Sequence, residues 1–448
     1  MTQRTNVIVI GAGFAGLKAA SDLVAKGKTV TVVEARDRVG GRVEAGELCG
    51  QVIDRGAQWI GPGHDLLLAE ARRFGMETYL QYAQGKTILS LDGKKTEFKG
   101  NIPKMGPISL IELAMLQSRW NKEMKTLPRG APWNAPKAKE WDSQTLASWA
   151  GKNLSTKTTR AFAGLVPKGA YGAEASDVSY LWLVEMLRSN GGLDYLMNVE
   201  GGAVDAKFKG GAHQIARRLA EELGDRIVLS APARAVIQDE SGVVVVTDKG
   251  RFEADDVIVA LPPALCQRID FGRGISAKRV ALQQRMPQGA AIKVHAAYKE
   301  PFWRRKGYTG QIATNDSTLG ITMEDTQDNA APLLIGFIEG AKAYAFSALG
   351  ANERRAKVID CLVEMFGPEA NDAIGYAEKD WLADEWARGY VGVMPPGLLT
   401  TFGEALRDPC GRVHWAGSET AEHWYGYMEG ALMSGVRAAD EVISRSGA

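Results

Sequence analysis

The chain has 448 residues, too many for one ordinary core, so two domains are expected. Hydrophobic residues make up 45% and charged residues 24%, the balance of a globular protein in water. The formal net charge of +1 gives no reason to expect nucleic acid or an anionic membrane as partner. Four cysteines (Cys49, Cys266, Cys361 and Cys410) occur without a CxxC pair, and the five histidines do not cluster. That usage argues against a disulfide framework or a zinc site, so no metal is expected, and it fits a reducing compartment. The stretches Met1–Asn6 and Ala438–Ala448 are polar, and no run of about 20 apolar residues occurs. A protein without signal peptide or membrane span, in the cytoplasm, is the expectation.

Val7-Ile8-Val9-Ile10 is apolar and β-branched, the pattern of a parallel strand buried on both faces. It leads into Gly11-Ala12-Gly13-Phe14-Ala15-Gly16, a helical stretch Leu17–Lys26 closed by Gly27, and a second strand Thr29–Val33 ending at Glu34. Each piece has a task in dinucleotide binding. Gly11 permits the tight turn, Gly13 lets the backbone approach a pyrophosphate, and Gly16 allows the helix to pack close on the strand. The helix N-terminus offers free N–H groups and a positive dipole end to phosphate. Glu34 can hold both hydroxyls of a ribose and would repel a 2′-phosphate, which disfavours NADP. A lone GxGxxG is weak, but here strand, loop, helix, strand and acid stand in register.

The next stretch runs Glu34-Ala35-Arg36-Asp37-Arg38-Val39-Gly40-Gly41-Arg42. Its adjacent glycines suit a second backbone approach to the pyrophosphate, with Arg42 supplying charge; alone, they would read as a turn with a solvated arginine. Placed just after the ribose-binding acid, the run resembles the GGR motif of the amine oxidase branch of flavoproteins, which selects FAD over NAD. Val52–Ile60, containing Gly56, Ala57, Gln58 and Trp59, resembles that family's segment beside the flavin ring.

Residues 60–80 read as helical, and 86–99 as a hairpin turning at Asp92-Gly93. Helical periodicity dominates Ile108–Leu196, interrupted by the loop Pro128–Pro136, and Gly201-Gly202 ends it. A helix His213–Leu223, strands Ile227–Leu229, Val243–Thr247 and Arg251–Ala254, and the apolar run Val257–Leu261 follow. Residues 283–380 alternate strands with a helix near Glu353–Phe366 and are expected to roof a substrate cavity. The expected class is α/β. A Rossmann-like FAD-binding domain of the two-dinucleotide-binding type (1–79, 209–282, 383–448) interleaves with an α+β substrate domain (80–208, largely helical, and 283–382, a mixed sheet). By resemblance, backbone near Ala233 meets the adenine.

Ala290–Tyr298 reads as a strand with Lys293 and His295 on one face. A lysine among apolar neighbours is unusual, although an edge-strand lysine can snorkel to water. The run Lys293–Arg304 resembles monoamine oxidases, and the resemblance implies that Lys293 holds a water against flavin N5, with His295 structural. His414-Trp415-Ala416-Gly417-Ser418-Glu419-Thr420-Ala421, followed by His423–Ala431, resembles the monoamine oxidase signature nearly residue for residue. There Gly417, Ser418 and Glu419 face the ribityl–phosphate side, and the helix near Met428 faces the phosphates and flavin O2. The resemblance covers essentially the whole chain and is densest at 7–60, 290–305 and 381–437. It makes Tyr390 and Tyr427 the walls of an aromatic cage, whose faces suit an amine, and stacks Trp381 near the flavin and lysine. One departure stands out: mitochondrial relatives carry at the position of Gly389 the cysteine that attaches FAD, so FAD is expected to be noncovalent here. A membrane-anchoring tail like theirs is not expected here either.

The expected function is an FAD-dependent amine oxidase. It would oxidise an amine to an imine by hydride transfer to flavin N5, hydrolysis giving an aldehyde plus ammonia or an amine, with O2 reduced to H2O2. A homodimer is a family-level expectation. An L-amino-acid oxidase is the alternative; it needs a cation for the carboxylate, and no motif places Arg160 or Arg188 at the cage. A flavin-bearing interaction protein, like the histone demethylase relatives, is disfavoured because no long helical insertion is present. The substrate stays open between aromatic monoamine, diamine and alkaloid-derived amine. Asp194 and Glu200 could meet a distal cation, although surface acids are the plainer reading.

Overall fold

The computed structural model describes residues 4–100 and 102–446, so the outermost residues of both polar ends lie outside the described residues. The first sheet grows from Thr5–Ile10, whose Val7, Ile8 and Val9 are completely buried. This strand pairs in parallel with Val30–Val33 on one side and with Gly250–Val259 on the other. Gly250–Val259 is one strand where the sequence suggested two runs. The acids between those runs find partners without leaving the ladder: Asp255 meets Arg4 at 2.9 Å and Asp256 meets Arg445 at 3.1 Å. Its first half pairs antiparallel with Val243–Thr247, and Val257–Val259 pair in parallel with Val413–Trp415. One edge therefore serves two partners, which brings the C-terminal segment onto the sheet.

The helix after the first strand begins at Phe14, directly on the glycine loop, and runs to Ala25. Met428–Ser446 packs across it, and small residues set the distance between the two. A Cβ on Gly435 would lie 2.3 Å from the Ala15 carbonyl oxygen, and one on Gly16 would lie 1.9 Å from that of Gly11.

The second sheet orders its strands Gly375–Asp380, Ala291–Ala297, Leu333–Glu339, Ile321–Glu324, Tyr308–Thr314, Lys86–Leu91 and Lys94–Phe98. It is antiparallel except where Tyr308–Thr314 meets Lys86–Leu91. A block of helices (Pro107–Met124, Leu146–Asn153, Lys157–Tyr171, Tyr180–Ser189 and Gly192–Met197) packs around buried Trp120, Trp149 and Trp182. Thr145, Thr156 and Ser179 cap three of these helices by accepting from backbone N–H groups. The loop Pro128–Pro136 holds only the short 3-10 turn Pro132–Asn134. The helix expected near 353–366 spans Ala351–Phe366.

Residues 60–80 depart from the expectation. Only Asp65–Arg73 is helical, while Trp59–Ile60 and Thr78–Leu80 both pair with Ala206–Phe208 in a three-stranded sheet. Gly61-Pro62-Gly63 and Gly75 bound the helix, as residues that break helical backbone should. Among the described residues no helix is long and apolar enough to cross a membrane.

Gly435→Val should overpack the crossing of Phe14–Ala25 and Met428–Ser446. Thermal and urea unfolding should report a loss of about 1–3 kcal/mol; an unchanged midpoint would mean the helices can separate freely.

Candidate functional site

A cavity of about 590 Å³ reaches from the glycine loop of the first sheet to the inner face of the second. At its first end Gly11 has φ +102°, and a Cβ there would lie 2.9 Å from the Ala260 carbonyl oxygen. Gly13 and Gly41 approach each other so closely that a Cβ on Gly41 would meet the Gly13 Cα at 3.3 Å. Gly13, Phe14 and Ala15 line the cavity, and the helix they open has neither a capping side chain nor an acid in its first turn. Its N–H dipoles are thus left for an anionic ligand. Glu34 is buried; one carboxylate oxygen accepts from the Ala12 N–H at 2.7 Å and the other from the Arg36 N–H at 2.9 Å. Each oxygen keeps a lone pair for a further donor. Ala35, Arg36 and Ala233 complete this end, with Arg36 tied to Asp384 at 2.6 Å. The cradle fits a dinucleotide's diphosphate and ribose.

Arg42 and Glu419 form a bidentate buried pair, Nη1 to Oε1 at 2.6 Å and Nη2 to Oε2 at 2.8 Å. Arg42 also donates to the Tyr390 carbonyl at 2.6 Å and to Ser418 Oγ at 3.1 Å. Glu419 accepts in addition from Ser418 Oγ at 2.9 Å and from the Gly392 N–H at 3.2 Å. Burial alone would raise the Glu419 carboxyl, but Arg42 holds it below the usual carboxylate range. Gly417, Ser418 and Arg42 line the cavity, whereas Glu419 stands behind them and Gly16 is enclosed against Gly11.

Lys293 projects from the fully buried strand Ala291–Ala297. Its Nζ donates to the carbonyls of Asp54 (2.6 Å) and Gly56 (2.9 Å) and to Gln58 Oε1, which occupies all three hydrogens of an ammonium. The Trp59 and Phe337 rings lie 5.5 and 5.7 Å from the same nitrogen. Burial pushes the Lys293 pKa down, against the pull of Asp54 and Asp325; burial likewise pushes the Asp54 carboxyl up. Behind them Lys207 pairs with Asp325 at 2.6 Å, and Tyr79 donates to Asp325 at 2.8 Å. His295, on the same face as Lys293, is completely buried.

Tyr390 and Tyr427 line the same cavity, together with Gly56, Ala57, Gln58, Trp59, Trp381 and Met428. Burial raises both phenols, that of Tyr390 to about 12 with a further push from Glu339, so both are neutral near pH 7. The Tyr390 backbone is fixed from two sides, its N–H donating to the Gly289 carbonyl at 2.7 Å and its carbonyl accepting from Arg42. Tyr427 packs against the rings of His64 and Trp424 at 5.5 and 5.9 Å. Trp381 donates from Nε1 to the Arg55 carbonyl at 3.1 Å.

The acids singled out from sequence lie elsewhere: Asp194 is exposed and bonded to Gln117, and Glu200 is exposed on the rim. The acid inside the cavity is Glu339, 4% exposed, at the end of Leu333–Glu339. Burial pushes its carboxyl up to about 8, with Lys168 opposing. Strand alternation in that run puts Phe337 and Glu339 on one face, the signal from which it could have been found. Arg160 is bonded to the Leu154 carbonyl at 2.7 Å and Arg188 to Glu185 at 2.7 Å; neither lines the cavity.

The sequence matches the family model described as flavin containing amine oxidoreductase over residues 14–443. The flavin-containing amine oxidase A of Canis lupus familiaris is 36% identical, across 99% of this chain and 85% of its own length. A solved putrescine oxidase variant, redesigned in cofactor binding, superimposes with a TM-score of 0.96 at 32% identity, covering 99% of this chain and 100% of that one. Cyclohexylamine oxidase from Brevibacterium oxydans IH-35A superimposes with a TM-score of 0.95 at 32% identity, covering 100% of both chains.

His295 makes the fold acid-sensitive in a defined window. Burial, then the Lys293 charge, lowers its pKa from 6.5 to about 3, and burial, then His423, lowers that of His64 to about 4. Below pH 6.5 the unfolded chain therefore takes up protons that the folded chain refuses. Each group then removes about 1.4 kcal/mol of stability per pH unit until its folded pKa is reached. Thermal unfolding between pH 6.5 and 5 should show a falling midpoint, with a shallower slope in His295→Asn. Equal slopes would place the sensitivity in other groups.

Proposed function

Because the chain belongs to the flavin-containing amine oxidoreductase family, we propose that its cavity joins an FAD seat on the first sheet to an amine chamber under the second. The protein is a flavin-containing amine oxidase that uses FAD. The reaction we assign converts an amine to an imine, hydrolysed to an aldehyde plus ammonia or an amine, with O2 reduced to H2O2. The observation that carries this reading is that the glycine cradle, buried Lys293 and the tyrosines 390 and 427 all face one cavity.

Bound FAD supplies a ring that accepts hydride at N5 and passes the electrons to O2. The chain's own residues do the rest. Gly11, Gly13, Ala15 and the first turn of Phe14–Ala25 receive the diphosphate, with Gly16 letting that helix close on the loop. Glu34 receives the ribose, and Ala35, Arg36 and Ala233 the adenosine end. Gly41, Arg42, Gly417 and Ser418 bound the ribityl–phosphate side, with Glu419 fixing Arg42. Gly56, Ala57, Gln58, Trp59, Trp381 and Met428 surround the ring. Tyr390 and Tyr427 present neutral aromatic faces that align the amine, and the exclusion of water between them disfavours the charged form of the nitrogen whose α-carbon must react. Lys293, held by three acceptors, supplies positive charge where O2 is reduced.

Noncovalent FAD is supported by the backbone at Gly389. Its φ is +144°, and a Cβ there would come within 2.4 Å of the Gln288 Cβ, so a linking cysteine does not fit. None of the four cysteines lines the cavity. The L-amino-acid oxidase alternative lacks support from Arg160 and Arg188, both bonded away from the chamber. We also infer the interleaved division 1–79, 209–282 and 383–448 for FAD, with 80–208 and 283–382 for substrate. Scattered free thiols favour a cytoplasmic location, and a homodimer is carried as the family-level assembly.

Lys293→Met should slow reoxidation of the reduced enzyme by O2 roughly a hundredfold in stopped flow. An oxidation rate equal to wild type would contradict the role of Lys293. Acid precipitation of the holoenzyme should leave all the yellow colour in the supernatant, and flavin retained in the pellet would mean a covalent link.

A further inference from the structure

We propose that Glu339 binds a second ammonium group of the substrate, so that this enzyme selects diamines over monoamines of the same chain length. The proposal rests on the amine oxidase reading and names the substrate class for that same cavity.

The strand register places the carboxylate. Phe337 stands opposite Lys293, and Glu339 stands opposite Ala291, one side-chain step further along the same face. Diagonal neighbours of this kind lie about 7–8 Å apart. Ala291, Lys293, Phe337 and Glu339 all line the cavity, so the face that carries Lys293 also carries an acid one step further along the strands. Its influence reaches the cage, since Glu339 raises the Tyr390 phenol.

No described residue satisfies this acid. Glu339 Oε2 is buried without a hydrogen-bond partner, and no ion pair is made by either oxygen among the described residues. Lys168, the cation that bears on it, is held by Glu174 at 3.0 Å. The other cavity-lining cations are also engaged: Arg36 by Asp384, Arg42 by Glu419, Arg268 by the Glu385 carbonyl at 2.7 Å, and Lys293 by its three acceptors. Burying a carboxylate without a partner is costly, so burial keeps the proton on Glu339; an arriving ammonium, with three donors on a small charge, would stabilise the carboxylate and release that proton to solvent.

The ammonium in question is not the nitrogen that reacts. That nitrogen must be uncharged when its α-carbon gives up hydride, and a carboxylate would hold it protonated. Glu339 therefore suits a nitrogen at the far end of the molecule, drawing it inward while the near nitrogen sits between the tyrosines.

The test compares kcat/KM of the holoenzyme for 1,4-diaminobutane and butylamine, and for 1,5-diaminopentane and pentylamine, with benzylamine, phenethylamine and tyramine alongside. Wild type should favour each diamine by roughly tenfold or more, the scale of a charge-assisted contact. Glu339→Gln should collapse that ratio, mainly through KM of the diamine, which should lose far more of its kcat/KM than butylamine does. Glu339→Leu should improve the monoamines while weakening the diamines, and both variants should keep the wild-type flavin spectrum. Preference of wild type for butylamine or pentylamine over the diamine of the same chain length overturns the proposal and leaves the amine oxidase reading standing. So does a Glu339→Gln variant in which diamine and monoamine rates fall together, because the carboxylate would then act on the reacting nitrogen or on the fold. A flavin that no amine in the panel reduces under anaerobic conditions fails the amine oxidase reading itself, and this proposal with it.

Discussion

The Arg42–Glu419 pair is the interaction on which the site depends. It joins the glycine-rich segment after the second strand to the C-terminal segment that enters the sheet at Val413–Trp415. Through the Tyr390 carbonyl and the Gly392 N–H it also fixes the loop that carries one tyrosine of the cage. The Glu419 side chain is fully buried, so removing Arg42 would strand a charge at a penalty of about 3–5 kcal/mol. The interaction is satisfied by two matching hydrogen bonds and several neutral donors and acceptors, which is how a buried ion pair offsets its own desolvation. One pair thereby sets the position of the cofactor seat relative to the substrate chamber.

A second buried charge system underlies Lys293. Its three acceptors all come from a single short stretch, Asp54, Gly56 and Gln58, and that stretch is anchored by Trp59–Ile60 pairing with Ala206–Phe208. The same central strand carries Lys207, which holds Asp325 in place; Asp54 and then Asp325 moderate the burial of Lys293, against the charge of Lys207 itself. The small three-stranded sheet thus serves both sides of the lysine. It aims carbonyl oxygens at Nζ and seats the counter-charge that keeps a buried ammonium tolerable.

These features differ in how far the sequence reveals them. The run Val7–Glu34 carries its own signals, because turn glycines, strand periodicity and the acid are all local. The strand around Lys293 is also local, an apolar run with one misfit residue. By contrast, Trp59–Ile60 and Thr78–Leu80 are two and three residues long, and each exists because Ala206–Phe208 lies between them. No periodicity can develop over so few residues, and the helix Asp65–Arg73 dominates the window around them. Glu419 reads as a ligand contact until Arg42 is seen to claim both its oxygens. Glu339 ends a strand, a place where acids normally reach solvent, and here Gly320 packs so close to it that a Cβ there would lie 2.6 Å from its Oε2.

The two ends of the cavity differ as a consequence. At the end built on the first sheet Arg36, Arg42 and Arg268 are each paired with an acid, Asp384, Glu419 and Glu385, so the uncapped N-terminus of Phe14–Ala25 is what suits a diphosphate there. Glu34 lies at the same end and accepts from two backbone N–H groups. At the other end, among the described residues, the buried acid facing the chamber is Glu339. Under the proposed function Lys293 would repel a protonated nitrogen from the flavin, while Glu339, deprotonated by an arriving ammonium, would hold one away from it. The two would act in the same direction, leaving the uncharged nitrogen of a substrate beside Tyr390 and Tyr427, the protonation state from which a carbon–nitrogen bond can give up hydride.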